Sequence, residues 1–169
     1  MDDQESLPTT LGRGVAAGLA GTAVMTAFQL LVEMPLTRRK ESFAPAELAM
    51  TLLRVKPRSR KGRRQLNYAT HFALGAGWGL TRAAIAHTGL RGQTAAAATF
   101  GAMYPADLAT ATLLGVYKPK TWSRQDVAID VVDKLVQAAA TGVAFDRLGA
   151  RKRPAGERRR AGPPDQSPT

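Results

Sequence analysis

In the stretch "FGAMYPADLATATLLG", residues 100–115, a proline and then an aspartate break an otherwise apolar helical run. A carboxylate there must be protonated, hydrated or matched by a cation, because a bare charge removed from water is costly. The matching cation stands in the next apolar segment. At a rise of ~1.5 Å per residue, Asp107 lies about 13 Å back from Val116 and Lys134 about 10 Å on from Val127, so the two reach one level. Asp126, Asp130, Asp133, Gln137 and Thr141 recur at i, i+4, i+7, i+11 and i+15 and give that later segment a polar edge. Lys134 borders this edge and is also within i, i+4 reach of Asp130. Pro105 cannot donate to the Gly101 carbonyl and favours a kink, which leaves a free carbonyl close to the Asp107 carboxylate. Such a niche suits water, a proton or a small cation. Two readings stay open: a charge pair that only sets helix register, and a conduction or substrate site. Glu33 and His71 fall toward the same end of the chain's up-and-down path, and Arg82 falls toward the other.

Other chemistries lack their residues. There is no cysteine, which removes disulfides, thiolate metal sites and cysteine nucleophiles. His71 and His87 sit on one segment about 24 Å apart at ~1.5 Å per residue, so one chain cannot supply two facing haem ligands. The sequence has no Gly-rich phosphate loop, no nucleophile with a base, and no metal-ligand cluster. The expectation is a protein that is not an enzyme and holds neither cofactor nor metal.

The elements that carry these residues are four largely apolar segments, 14–34, 67–87, 93–116 and 127–148. Each has about the twenty residues that cross a ~30 Å hydrocarbon layer. They predict an all-α, four-helix transmembrane bundle over 13–149, between an N-terminal tail at 1–12 and a C-terminal tail at 150–169. The first run begins after the acidic "MDDQE" and is too long for a signal peptide, so it reads as an anchor. Lipid gives helices no hydrophobic reason to associate, and small residues that admit close backbone approach must do so instead. Each segment has such a pair: Gly14 with Gly18 (Ala17 and Gly21 beside them), Gly75 with Gly79, Ala97 with Gly101, and Ala138 with Gly142. These faces predict tight packing, or a contact with a second copy or another membrane protein.

The net charge of +11 gathers outside the segments. The loop 35–66 holds "RVKPRSRKGRR", and the tail is rich in Arg and Pro with nothing to bury, hence expected to be disordered. Within the loop, "SFAPAELAMTLLRV" spaces Leu48, Leu52 and Val55 as a short amphipathic helix after Pro45. It fits a membrane interface whose anionic headgroups meet the basic continuation. The short link "TGLRG" forces the second and third segments into a hairpin, Tyr117 and Trp122 suit an interface, and Ser123 suits a helix cap. Acidic and basic flanks of the first helix predict an outside N-terminus, with the first and third loops inside. That division leaves 13 Lys and Arg inside against nine outside, a small bias.

Several phrases in order resemble the YagU-like family of uncharacterised bacterial inner-membrane proteins. They are "GLAGTAVMTAFQLLVEMPLTRR" at 18–39, "THFALGAGWGL" at 70–80, the proline-containing third helix ending "LLGVYKPKTW", and "VDKLVQAAATGVAFDRL" in the fourth. Glu33, Pro35 and Arg38 are the most specific part; the long basic loop and Arg-rich tail depart from the pattern. The resemblance implies a multi-pass protein of the bacterial inner membrane with no established catalytic residues. The expected role is accessory or structural, extending to permeation of protons or small cations near Asp107. The rival from another class is a soluble basic helical protein that binds nucleic acid through 54–64 and the tail.

Overall fold

The computed structural model describes residues 6–150; the first five residues and the tail from 151 lie outside it, and with them the expectation of a disordered tail. Among the described residues every regular element is helical: α1 (Leu7–Phe28), a π-helical turn (Gln29–Glu33), α2 (Met34–Thr37), α3 (Ala44–Leu53), α4 (Arg60–Ala86), α5 (Gly92–Leu113), a 3-10 turn (Pro119–Thr121) and α6 (Arg124–Ala150). The first three form one continuous stretch of 31 residues. The bundle is therefore all-α; α1, α4 and α6 start before the apolar runs that announce them, whereas α5 stops at Leu113, short of the expected 116. α1 starts at Leu7 rather than near 14, and α4 starts at Arg60 inside the expected loop, because Ser59 accepts a hydrogen bond from the Gly62 N–H at 3.0 Å. Such a cap satisfies an orphan donor of the first turn and lets a basic, soluble stretch stay helical.

Local chemistry sets the other boundaries. Pro35 has no N–H to donate to the α-helical ladder and its ring crowds the carbonyl four residues back, and the turn before it widens, the Met34 N–H donating to the Gln29 carbonyl. The stretch stops at Arg38, which takes a left-handed conformation (φ 57°). α5 closes with Gly115 at φ 72°, where the Val116 N–H bonds the Ala111 carbonyl and the Gly115 N–H bonds that of Thr112. α6 opens on a reciprocal cap: the Ser123 hydroxyl accepts from the Asp126 N–H at 3.1 Å, and the Asp126 carboxylate accepts from the Ser123 N–H at 2.9 Å. At the start of α3 the Ser42 hydroxyl accepts from the Ala44 N–H at 3.3 Å, while the N-cap residue Phe43 offers no acceptor. Asn67 of α4 supplies one, accepting from the Ala46 N–H at 3.1 Å and donating to the Ser42 carbonyl at 3.0 Å.

α1 lies between α4 and α6, α5 packs against α4 and α6, and α3 lies along α4. The α1–α4 crossing is a contact of glycines. A Cβ built on Gly14 would stand 2.6 Å from the Gly79 carbonyl oxygen, one on Gly18 2.8 Å from the Gly79 nitrogen, and one on Gly75 2.9 Å from the Thr22 Cβ. None of the three has room for a side chain. Gly21, a turn away, faces α6, where a Cβ would come within 2.9 Å of the Thr141 nitrogen. Gly142 meets Ala96 of α5 at a looser 3.3 Å. The third expected pair is a correction: Gly101 has open space around it and is exposed, as is Ala97, and α5 instead buries Ala95, Thr99 and Ala111. α5 also runs helically through Pro105 without ending there.

The interior mixes apolar and polar side chains. Met25, Trp78, Ile129 and Phe145 are buried together with Thr10, Thr22, Thr99, Thr141, Gln137, Asp133 and Arg82, with Ala17, Ala83 and Ala138 between them. Other large apolar side chains point outward, among them Leu31 at 76%, Leu36 at 78% and Leu113 at 87% exposure. Among the described residues one helix, Leu7–Thr37, is long and apolar enough to cross a membrane, with 28% of its apolar window covered by the rest of the chain. The other long helices carry too many ionisable or polar groups to pass on composition.

Candidate functional site

The ionisable residues of the bundle divide between its two ends. At the end that carries the loop 35–66, Lys134 Nζ donates to Asp107 Oδ2 at 2.8 Å, both side chains being less than one-fifth exposed. Trp78 of α4 donates its indole N–H to the same oxygen at 3.2 Å, and the Lys134 ammonium lies 5.6 Å from the Trp78 ring centroid. Three helices thus converge on one carboxylate. Lys134 is committed to Asp107, and no ion pair joins it to Asp130 one turn away, contrary to the i, i+4 alternative.

Around this pair opens a cavity of about 600 Å³, lined by Gln29, Glu33, His71, Asp130 and Asp133 as well as Trp78, Asp107 and Lys134. Gln29, Leu30 and Glu33 of the π-helical turn line it, while Leu31 and Val32 of the same turn do not. Gln29 donates to Asp133 Oδ2 at 2.7 Å, while Glu33 accepts from the Thr37 hydroxyl at 2.9 Å. Deeper in, Gln137 donates to the Thr22 hydroxyl at 3.1 Å, which closes the floor between α1 and α6. Tyr117 and Trp122 meet edge to face, ring centroids 5.2 Å apart, and line the cavity mouth rather than standing outward. Asp126 sits at the rim, one residue before the apolar segment, paired with Arg39 at 3.3 Å. The hydrogen bonds from Ser123, then the Arg39 charge, hold its carboxyl below the usual carboxylate range.

The opposite end is organised around a buried arginine. Arg82 is 1% exposed and donates to Asp146 of α6 at 2.6 Å. The guanidinium carbons of Arg13 and Arg82 lie 4.0 Å and 4.4 Å from the centroid of the Phe145 ring, so one aromatic ring accommodates two cations. His87 is an exposed residue at the end of α4, far along the helix from His71.

Of the residues singled out in the sequence, Asp107, Lys134, Asp130, Asp133, His71 and Glu33 all border the cavity. Gly14, Gly18, Gly75 and Gly79 build the packed half beyond it, and Gly142 contributes at α5. Pro105 and Gly101 lie on the exposed side of α5, away from the Asp107 carboxylate. Sequence reasoning missed Trp78, Gln29, Asn67 and Asp146. The tryptophan sits one residue before Gly79 and reads as bulk in a glycine phrase; the amides and Asp146 follow no period that marks a partner. Among the described residues, no group of three or more His, Cys, Asp or Glu side chains converges for a metal ion. Comparison with protein-family models, curated proteins and solved structures finds no match to this chain.

Proposed function

We propose that this chain is a multi-pass protein of the bacterial inner membrane, similar to the YagU-like family, whose four long helices surround a vestibule that takes up protons or small cations. Its role is accessory to the membrane, with permeation as the fullest form of that uptake. The polar groups at the helix contacts carry the reading: threonine, glutamine, aspartate and arginine are buried alongside Met25, Trp78 and Phe145, while leucines and valines stand exposed along the long helices. Lipid solvates such leucines and leaves the buried polar groups to pair with each other. The basic loop meets anionic headgroups at the vestibule mouth, with Arg and Lys near the surface contributing ~1 kcal/mol each.

The vestibule is one-sided. Its lining stops near Met25, Trp78 and Gln137, and none of the glycines of the α1–α4 crossing belongs to it. Passage through the membrane therefore requires the glycine-packed half to part, which makes gating a matter of α1 against α4.

Three measurements test the proposal. The chain should stay in the membrane pellet after alkaline carbonate and after 1 M salt; release of most of it by salt would replace the membrane reading with the nucleic-acid one. A cysteine at Arg58 and another at Thr88 should label from opposite sides of intact cells, because α4 separates them. In proteoliposomes, Asp107→Asn should preserve the fold and abolish proton or cation flux, since the amide keeps the shape and loses the charge.

A further inference from the structure

Three helices end in the same way on the side of the bundle that carries the loop 35–66. The first stretch passes from the exposed Leu36 to Arg38, Arg39 and Lys40, α3 from the exposed Leu52 and Leu53 to Arg54 and Lys56, and α5 from the exposed Leu113 to Lys118 and Lys120. Leucine followed by cation is the order of groups met on leaving a hydrocarbon layer with anionic headgroups. Two of these ends also place an arginine in the left-handed region, Arg38 at φ 57° and Arg54 at φ 53°, where α5 uses Gly115 at φ 72°. Glycine takes that conformation without strain and arginine does not, and such strain concentrates at functional sites.

Between the end of α3 and the end of α5 lies a groove of about 500 Å³, which shares only Glu47 and Val116 with the vestibule. That volume falls in the range of small-ligand sites, about 300–1,000 Å³. Met50, Val55, Leu114 and Val116 form an apolar wall, and Arg54 and Lys56 stand exposed beside it. The one carboxylate of the groove, Glu47, is held by Arg63 of α4 at 3.0 Å. Arg54 and Lys56 therefore keep their charge, with no ion-pair partner among the described residues. A nucleic acid would satisfy these cations and leave the apolar wall in water, whereas an uncharged acyl chain would cover the wall and leave the cations unmatched. An amphiphile with an anionic head does both.

We infer that this groove holds one anionic phospholipid, its phosphate against Arg54 and Lys56 and the upper part of an acyl chain against Met50, Val55, Leu114 and Val116. This rests on the reading of the chain as a membrane protein and adds a discrete site to the general attraction of the basic loop for headgroups. The planar guanidinium of Arg54 can meet two phosphate oxygens at once, and Lys56 adds a compact charge. A zwitterionic lipid offers the same phosphate but brings an ammonium toward two cations, so the groove selects by headgroup charge.

Calorimetry of the full chain in a neutral detergent, with heats of mixing into empty micelles subtracted, tests it using three probes: dioctanoyl phosphatidylglycerol, dioctanoyl phosphatidylcholine and glycerophosphoglycerol, the headgroup without chains. Phosphatidylglycerol should bind saturably at one site, about tenfold or more tighter than either of the others. Arg54→Gln with Lys56→Gln should weaken it by about thirtyfold and Val55→Ser by less. Arg58→Gln with Arg60→Gln removes the same charge from the same loop outside the groove and should change binding by less than about twofold. Equal losses in the two double variants would reduce the site to diffuse surface charge. Equal affinity for phosphatidylcholine would remove the selectivity, and equal affinity for the bare headgroup would make the ligand a soluble phosphate. Each of these overturns the proposal, as does an oligonucleotide that binds through Arg54 and Lys56 while phosphatidylglycerol does not. If lipid binding fails while the chain stays in the membrane pellet after 1 M salt, the groove is wrong and the membrane reading stands. Failed binding together with release by salt defeats both.

Discussion

The same pair of helices, α1 and α4, behaves in two ways along its length. Toward the hairpin that joins α4 to α5, Gly14 and Gly18 lie against Gly75 and Gly79, backbone on backbone, with no space for a Cβ. Two turns further, α1 presents Met25, Thr26 and Gln29 while α4 presents Leu74, His71 and Asn67, and the cavity opens between them. Glycine removes the side chains that hold backbones apart, so the helices close where it is frequent; side chains of unequal length and polarity prop them open where it is not. The ionisable groups follow that division. At the closed end the buried Arg82 reaches Asp146 through Nη2 and lies over an aromatic ring, its Nε and Nη1 accepted by no described residue, whereas at the open end carboxylates outnumber the cations among them. One half is a clamp, and the other is a container.

A leucine is the strongest way to break the contrast. Gly18→Leu or Gly79→Leu forces a large side chain into a backbone contact and should cost more than ~3 kcal/mol, seen as a large drop in the midpoint of thermal unfolding in detergent. Thr26→Leu, in the cavity wall, should cost less than about 1 kcal/mol, and the exposed Ala16→Leu still less. Equal costs at Gly79 and Thr26 would erase the distinction between the halves.

Next in size is the charge pair at the container's wall. Asp107→Leu strands the Lys134 ammonium and should destabilise by up to ~3 kcal/mol, less than for a fully enclosed pair because the cavity admits water. Adding Lys134→Leu should recover most of the loss, since two apolar groups need no desolvation. Additive losses in the double variant would separate the two residues energetically.

A smaller effect belongs to Asn67, which caps α3 from across the gap to α4. Asn67→Leu should cost ~1–2 kcal/mol and speed proteolysis around Arg54 to Arg58, with the rest of the bundle unchanged. No change in cleavage would mean that Ala46, Leu48 and Ala49 alone hold α3 down.

The smallest concerns the rim. Because Asp126 titrates below the ordinary carboxylate value in the folded chain, its contribution is present above the unfolded pKa and is lost as pH falls through the depressed folded one. Ser123→Ala should raise the Asp126 pKa toward the ordinary value and flatten that acid-side loss, as read from its carboxyl chemical shift. An unmoved titration would assign the depression to Arg39 instead.

Much of this was readable from spacing. Apolar runs located the long helices, a rise of ~1.5 Å per residue put Asp107 and Lys134 at one height, and i, i+4 glycines marked the α1–α4 crossing. Height and relative angle along a single helix are properties of that helix alone. Which neighbour each face meets is not. Ala97 and Gly101 have the same spacing as Gly14 and Gly18, yet they face outward, because α5 lies at the edge of the bundle and packs by Ala95, Thr99 and Ala111. Asp130 lies within reach of Lys134 on its own helix, yet the ammonium turns to α5, where Asp107 already holds the Trp78 indole N–H. Asn67 and Asp146 acquired their roles from residues 21 and 64 positions away, at Ala46 and Arg82. The sequence alone determined the helices, their levels and their small faces, since local geometry is periodic. The rotation of each helix about its axis, and with it the cavity and its carboxylates, was decided only when all the faces packed at once.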